Sequence, residues 1–167
     1  IDHPHIPEGA EQGLLLPLDG TGHDDELALL ATQSVGPSHQ TYNYNGRQWG
    51  LATDAASQVA AWRPDLIEAP PRTWPEVLEL ARAGRVLWPA KPVDAFSSIV
   101  TIAATHGTEA MRERGVFLPR DAALAAISLI RELAALIPAD NLTLNPIQVA
   151  ELLADGDQYA YSPLLFG

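Results

Sequence analysis

Apolar residues recur along much of the chain at helix spacing, and shorter apolar runs separate these stretches. Between residues 121 and 137 they recur at intervals of four and three, the period of a helix with one buried face, and Pro138 follows. This is the clearest helix that the pattern predicts. Its expected buried face consists of Ala123, Ile127, Ile130, Ala134 and Ile137.

Capping residues mark where other helices begin. Thr73 precedes Glu76 by three positions, which is a capping box: each side chain can bond the backbone N–H of the other. Asn145 and Pro146 supply an N-cap and a first-turn proline for another helix. A further apolar helix is predicted from about Ala95 to Thr105.

Short strands are predicted between these helices. The Asn45-Gly46 pair favours a tight bend inside the first strand region. Because helices and strands alternate, the pattern predicts an α/β protein whose helices cover a mainly parallel sheet. The strand regions are 42–53, 58–62, 86–88 and 158–162.

The segment from Asp54 to Ser57 interrupts two strand-like runs. A hairpin is one interpretation, but the break contains no Asn-Gly, Asp-Gly or Gly-X pair. The sequence therefore favours a chain that continues onward past the break.

Charge and composition exclude several classes of partner and of binding site. The 167 residues carry a net charge of -11, which repels phosphate backbones and anionic lipid, so nucleic acid is not an expected partner. Neutral and cationic ligands stay possible. The absence of cysteine excludes disulfides and thiolate zinc sites, and no apolar run approaches the roughly 18 residues of a membrane helix.

Three segments carry a family pattern: NGRQWGLATD at 45–54, VAAWRPDL at 59–66 and PPRTWPEV at 70–77. In this order they resemble the extracellular solute-binding proteins of ABC importers, in the branch that includes maltose-binding protein. The resemblance covers most of the chain. Ala52 and Thr53 replace a proline of the family pattern, and Trp62 to Asp65 replace its usual strand ending.

The resemblance implies an α/β fold of the type II periplasmic-binding-protein kind, with parts of two lobes and helices packed on mainly parallel sheets. Residues 1–53 would belong to the first lobe, 54–57 to a hinge crossing, and 58–167 to most of the second lobe. Family members are about twice this long, since two full domains need that length. The resemblance thus implies that further parts of both lobes are missing.

The resemblance also implies a function. Such proteins capture a small solute, here expected to be a sugar or polyol, in a cleft between two lobes and deliver it to an ABC transporter permease. They work outside the cytoplasm, in the periplasm or lipid-anchored at the cell surface. No catalysis, cofactor or metal is expected.

Expected ligand contacts in the first half follow from this resemblance. His3 and His5 would lie on a cleft loop and hydrogen-bond sugar hydroxyls; a zinc site lacks further ligands at a recognisable spacing, and solvated chain-end residues are an equal alternative. Asp54 would accept hydroxyl hydrogen bonds on the cleft floor, or else cap a turn. Gln58, which lies close to Asp54 in the sequence, is a further expected ligand contact.

The remaining expected contacts lie in the second half. Asp94, Phe96 and Ser97 match a cleft loop where a carboxylate and an aromatic ring hold a sugar; a helix N-cap is the alternative for Asp94. Tyr161 and Ser162 end the last predicted strand at a second crossing, and core positions are equally favoured for both.

Two other functions stay open. Asp54 and Asp94 could act as the acid and base of a carbohydrate-active hydrolase. Against this, the sequence contains no Gly-x-Ser-x-Gly, His-Glu-x-x-His or phosphate-binding loop. An inactive scaffold lobe is the third possibility.

Overall fold

The computed structural model describes residues 1–166, and they form two compact units. The first unit is Ile1–Ala56, and the second begins at Ser57. The boundary falls inside segment 54–57, whose role as a hinge stays a prediction. No helix within residues 1–166 combines the length and the apolarity that a membrane span requires.

The first unit contains a short hairpin at the predicted bend. Asn45 and Gly46 have φ angles of 51° and 72°, the left-handed conformation that a tight two-residue hairpin needs at both positions. The second arm ends at Gln48 rather than Thr53, because no strand within residues 1–166 pairs with the chain that follows Gln48. The elements are α1 (Ile6–Glu11), α2 (Asp24–Gln33), β1 (Asn43–Tyr44) and β2 (Arg47–Gln48).

The second unit contains four helices and a strand pair. The Thr73 and Asn145 capping boxes are both present, at the starts of the helices they predicted. The elements are β3 (Gln58–Trp62), α3 (Trp74–Arg82), α4 (Pro92–Thr105), α5 (Arg120–Leu136), α6 (Pro146–Ala154) and β4 (Tyr161–Phe166).

The strand pairing differs from the expected mainly parallel sheet. β3 pairs with β4 in antiparallel register, with Gln58 opposite Phe166 and Trp62 opposite Tyr161. The hairpin interpretation of the 54–57 break is therefore wrong, because the partner of β3 lies at the far end of the chain. Val86 forms a parallel bridge to Tyr161, but both named strand pairs are antiparallel. A long connection can return a strand in either direction, so the alternation of helices and strands did not determine whether the paired strands are parallel or antiparallel.

The main core of the second unit lies between α3, α4, α5 and the start of β4. Helix α5 lies where the pattern predicts it, but its expected buried face is partly wrong. Ala126 and Leu133 are its fully buried positions, whereas Ile127 is 40% exposed. Because α5 packs against both α3 and α4, its buried face is shifted by one sequence position from the expected buried face.

Removing the Thr73 cap is expected to destabilise the second unit. Thr73→Ala leaves the backbone N–H of Glu76 without its side-chain acceptor, and this should cost about 1 kcal/mol of unfolding free energy. Urea denaturation followed by tryptophan fluorescence measures it. The control is Thr143→Ala, which removes an exposed hydroxyl and should change stability by less than about 0.5 kcal/mol. Equal effects in both variants contradict the capping role.

Candidate functional site

The buried Ser98 hydroxyl connects β3, the 86–90 segment and α4. It accepts hydrogen bonds from Gln58 Nε2 at 3.0 Å and Trp88 Nε1 at 3.1 Å, and it donates to the Asp94 carbonyl oxygen at 2.8 Å. Gln58 Oε1 also accepts from Thr101 Oγ1 at 2.6 Å. These bonds fix the first turns of α4 against β3, and they commit the Gln58 amide to the protein itself.

Asn141 holds the 86–90 segment in place from the other side. Its Oδ1 accepts from the Trp88 backbone N–H at 2.9 Å, and its carbonyl oxygen accepts from Ala90 N–H at 3.1 Å. Its Nδ2 donates to the Pro138 carbonyl at 3.0 Å. The side chain is fully buried, so the turn after α5 positions Trp88 and, through it, Ser98.

Asp94 is the most unusual charged side chain in this region. It lies in the first turn of α4 and is only 7% exposed; its carboxylate accepts no hydrogen bond within residues 1–166, but its oxygens are not among the fully buried atoms that lack a partner, so they reach solvent. Burial raises the pKa of Asp94, and the nearby positive charge of Lys91 opposes that rise. Lys91 is the N-cap of α4, so the N-cap alternative for Asp94 is wrong. A ligand with hydroxyl or cationic groups could supply the donors that this carboxylate lacks.

Phe96 and Ser97 lie on the outer surface of α4. Phe96 is 53% exposed, and its ring stacks on that of Phe117 with centroids 5.2 Å apart and planes 23° apart. The Ser97 hydroxyl donates to the Val93 carbonyl. Positions two apart on a helix lie on different faces, so Phe96 and Asp94 would contact different parts of a ligand, and the ligand-binding role of Phe96 and Ser97 stays a prediction.

Tyr161 and Ser162 begin β4 rather than ending a strand, and both are buried. Burial raises the pKa of Tyr161, which belongs to the main core. The Ser162 hydroxyl has no hydrogen-bond partner within residues 1–166. Neither side chain offers surface to a ligand here, and their assignment as ligand contacts stays an untested prediction.

The expected contacts in the first unit are all exposed: His3, His5 and Asp54. The His3 ring lies edge-on to Tyr42 with centroids 6.3 Å apart. Across residues 1–166, no three His, Cys, Asp or Glu side chains come close enough to hold a metal ion. A ligand-binding role for these residues stays a prediction.

Sequence reasoning missed three residues of this region: Ser98, Asn141 and Phe117. Ser98 lies four positions after Asp94 on the same helix face, a spacing that could have indicated their contact. Phe117 follows Gly115 in a loop, where an isolated aromatic residue signals either a binding surface or a local cluster. No sequence signal connects Asn141 with Trp88.

Comparison with solved structures shows what fold the chain has. A maltotriose-binding protein of Thermus thermophilus, bound to maltotriose, matches 98% of the chain and 45% of its own length, with 20% identity and a TM-score of 0.69. A maltose-bound protein of T. maritima matches 91% of the chain and 42% of its own length, with 17% identity and a TM-score of 0.70. UgpB from Mycobacterium tuberculosis, in complex with glycerophosphocholine, matches 95% of the chain and 44% of its own length, with 17% identity and a TM-score of 0.65.

The chain has the fold of type II periplasmic binding proteins over the part that it spans, which confirms the expected fold class. It spans less than half the length of these solved proteins. No protein-family model and no curated protein matches the sequence. The likeness therefore concerns the fold.

Proposed function

We propose that this protein captures a small solute outside the cytoplasm, a sugar or polyol, and delivers it to an ABC permease. The observation that carries the proposal is the Asp94 carboxylate, which belongs to a residue only 7% exposed, accepts no hydrogen bond within residues 1–166 and still has oxygens that reach solvent and could bind a ligand. Partial burial raises the pKa of Asp94, and carboxyl groups with a perturbed pKa cluster at functional sites. The fold supports the proposal, since solved proteins that share it are described as binding proteins.

In this proposal Asp94 accepts hydrogen bonds from ligand hydroxyls, and Phe96 packs on the apolar face of the ligand. Gln58 has an indirect part: its bonds to Ser98 and Thr101 hold α4 in position. His3, His5 and Asp54 belong to the proposal as contacts from the first unit, with segment 54–57 as the hinge. Ser97 completes the proposed contacts, while the buried side chains of Tyr161 and Ser162 would support the site from within the second unit.

Native mass spectrometry of the protein purified from its own source tests the proposal. We expect a noncovalently bound solute whose mass identifies it as a sugar or polyol, and saturable heat when the same solute is added to ligand-free protein. The solute should be recovered unchanged after prolonged incubation. Product formation contradicts the proposal in favour of a hydrolase, and a protein that binds no solute contradicts it in favour of a scaffold.

A further inference from the structure

We propose that Asn45 is a site of spontaneous covalent modification: its side-chain amide is lost to the backbone nitrogen of Gly46, and the isoaspartate that forms disrupts the β1–β2 hairpin. The chain contains one Asn-Gly pair, and this pair lies at the tip of that hairpin. The inference does not depend on the proposed function, because it follows from the local chemistry of two adjacent residues.

The reaction joins two groups that are already neighbours in the chain. The Gly46 nitrogen gives its proton to hydroxide and forms a bond to Asn45 Cγ; the Cγ–Nδ2 bond breaks, and the side-chain nitrogen leaves as ammonia. Water then opens the five-membered ring. Cleavage between the Gly46 nitrogen and Cγ gives aspartate, whereas cleavage at the Asn45 main-chain carbonyl gives isoaspartate. In total one water is consumed, one ammonia is released, and no electrons pass to another molecule.

The turn leaves the attacking nitrogen accessible. Gly46 has no side chain to crowd its nitrogen, and its N–H donates no hydrogen bond within residues 1–166. Asn45 and Gly46 are both exposed, so water and hydroxide can reach them. The reaction requires no larger partner, and it therefore needs no docking surface.

The other three asparagines of the chain lack this combination and serve as internal comparisons. Asn43 is followed by Tyr44, whose side chain crowds the attacking nitrogen. Asn141 is buried, and both polar atoms of its side chain are hydrogen-bonded. Asn145 precedes Pro146, whose nitrogen carries no proton. Among the four asparagines, modification is therefore expected at residue 45.

Isoaspartate does not fit this hairpin. Its main chain runs through Cβ and Cγ, so it adds one backbone atom to a two-residue turn that pairs Tyr44 with Arg47. The Tyr44 carbonyl accepts from Trp49 Nε1 at 2.9 Å, and the Tyr44 hydroxyl donates to the Glu11 carboxylate of α1. Loss of the strand register therefore releases the Trp49 indole and the link to α1. Aspartate adds a charge but keeps the turn, because Asp-Gly favours the same turn type.

Ageing of the purified 167-residue chain at alkaline pH, below its unfolding temperature, tests the inference. Peptide mass spectrometry should show a gain of about 1 Da at residue 45, at least about tenfold faster than at Asn43. Electron-transfer fragmentation should identify isoaspartate as the main product. Indole N–H NMR signals, with Trp49→Phe to assign one of them, report the hairpin. We expect the modified fraction, separated by anion exchange, to shift the Trp49 signal alone.

Two variants that keep the turn separate its chemistry from its charge. Asn45→Gly forms a Gly-Gly turn without an amide, so ageing should change neither its mass at residue 45 nor its Trp49 signal. Asn45→Asp carries the product's charge on a normal backbone, and its Trp49 signal should stay at the position of the unmodified protein. An aged chain without a mass gain at residue 45 overturns the modification site. A Trp49 shift in Asn45→Asp, or in aged Asn45→Gly, overturns disruption of the hairpin by the added backbone atom.

Discussion

Asn141→Leu is expected to lower the unfolding free energy of the second unit by about 1–3 kcal/mol. Leucine has nearly the same size but no polar side-chain atoms, so the Trp88 N–H loses its acceptor and the Pro138 carbonyl loses one of its two donors. The Trp88 N–H stays buried, and an unsatisfied buried donor costs about 1–3 kcal/mol, whereas the Pro138 carbonyl belongs to an exposed residue and still accepts from the backbone N–H of residue 141. The effect should extend to the site, because Trp88 also donates to Ser98.

Urea denaturation followed by tryptophan fluorescence measures this loss, since Trp88 is buried in the same core. The matched control is Gln158→Leu, which removes an exposed amide from the same unit and should change stability by less than about 0.5 kcal/mol. Asn141→Asp supplies a second comparison, because it keeps the acceptor for Trp88 and loses the donor to Pro138. A stability of Asn141→Leu equal to that of the control contradicts the anchoring role.

Features that depend on neighbouring residues could be predicted from the sequence. The capping boxes at Thr73 and Asn145 form as expected, because each joins groups three positions apart. The Asn45-Gly46 bend forms for a similar reason: both residues tolerate positive φ. These predictions needed no knowledge of the rest of the chain.

Features that depend on distant residues could not be predicted in the same way. β3 pairs with β4 from the other end of the chain, and nothing in either strand specifies an antiparallel direction. The buried face of α5 is selected by contacts with α3 and α4, so Ile127 is exposed although it fits the helical spacing. Sequence period predicts that a face exists; tertiary packing decides which residues form it.

The candidate site also combines features that depend on neighbouring residues with features that depend on distant ones. Asp94 could be singled out because it lies in the segment that resembles the family's cleft loop, just before an apolar helix. The bonds that converge on Ser98 join residues as far apart as Gln58 and Trp88, and Phe117 reaches Phe96 only through the fold of its loop. The sequence therefore indicates individual polar and aromatic residues, whereas their partners emerge only in three dimensions.

The ionised Asp94 carboxylate is expected to lower the stability of the protein while it favours ligand binding. A carboxyl whose folded pKa is raised favours folding when it is protonated, below its unfolded pKa, and loses that contribution as pH rises through the folded value. Above the folded pKa, the folded protein bears the cost of ionising a partly dehydrated carboxylate. If Asp94 is kept for ligand binding despite this cost, removal of its charge should make the protein more stable.

Asp94→Asn is accordingly expected to stabilise the protein at pH 7 by about 0.5–2 kcal/mol and to weaken ligand binding about tenfold to a hundredfold. The amide fits the same space without the ionisation cost, but it offers ligand hydroxyls a weaker, neutral acceptor. Thermal unfolding should show a gain that shrinks as pH falls through the raised pKa of Asp94, because the unchanged protein then becomes neutral there too. The control Asp155→Asn makes the same charge change at an exposed position and should leave maltotriose binding unaltered. Lower stability at pH 7, or unchanged affinity for maltotriose or the co-purified solute, shows that the Asp94 carboxylate is not held for a ligand.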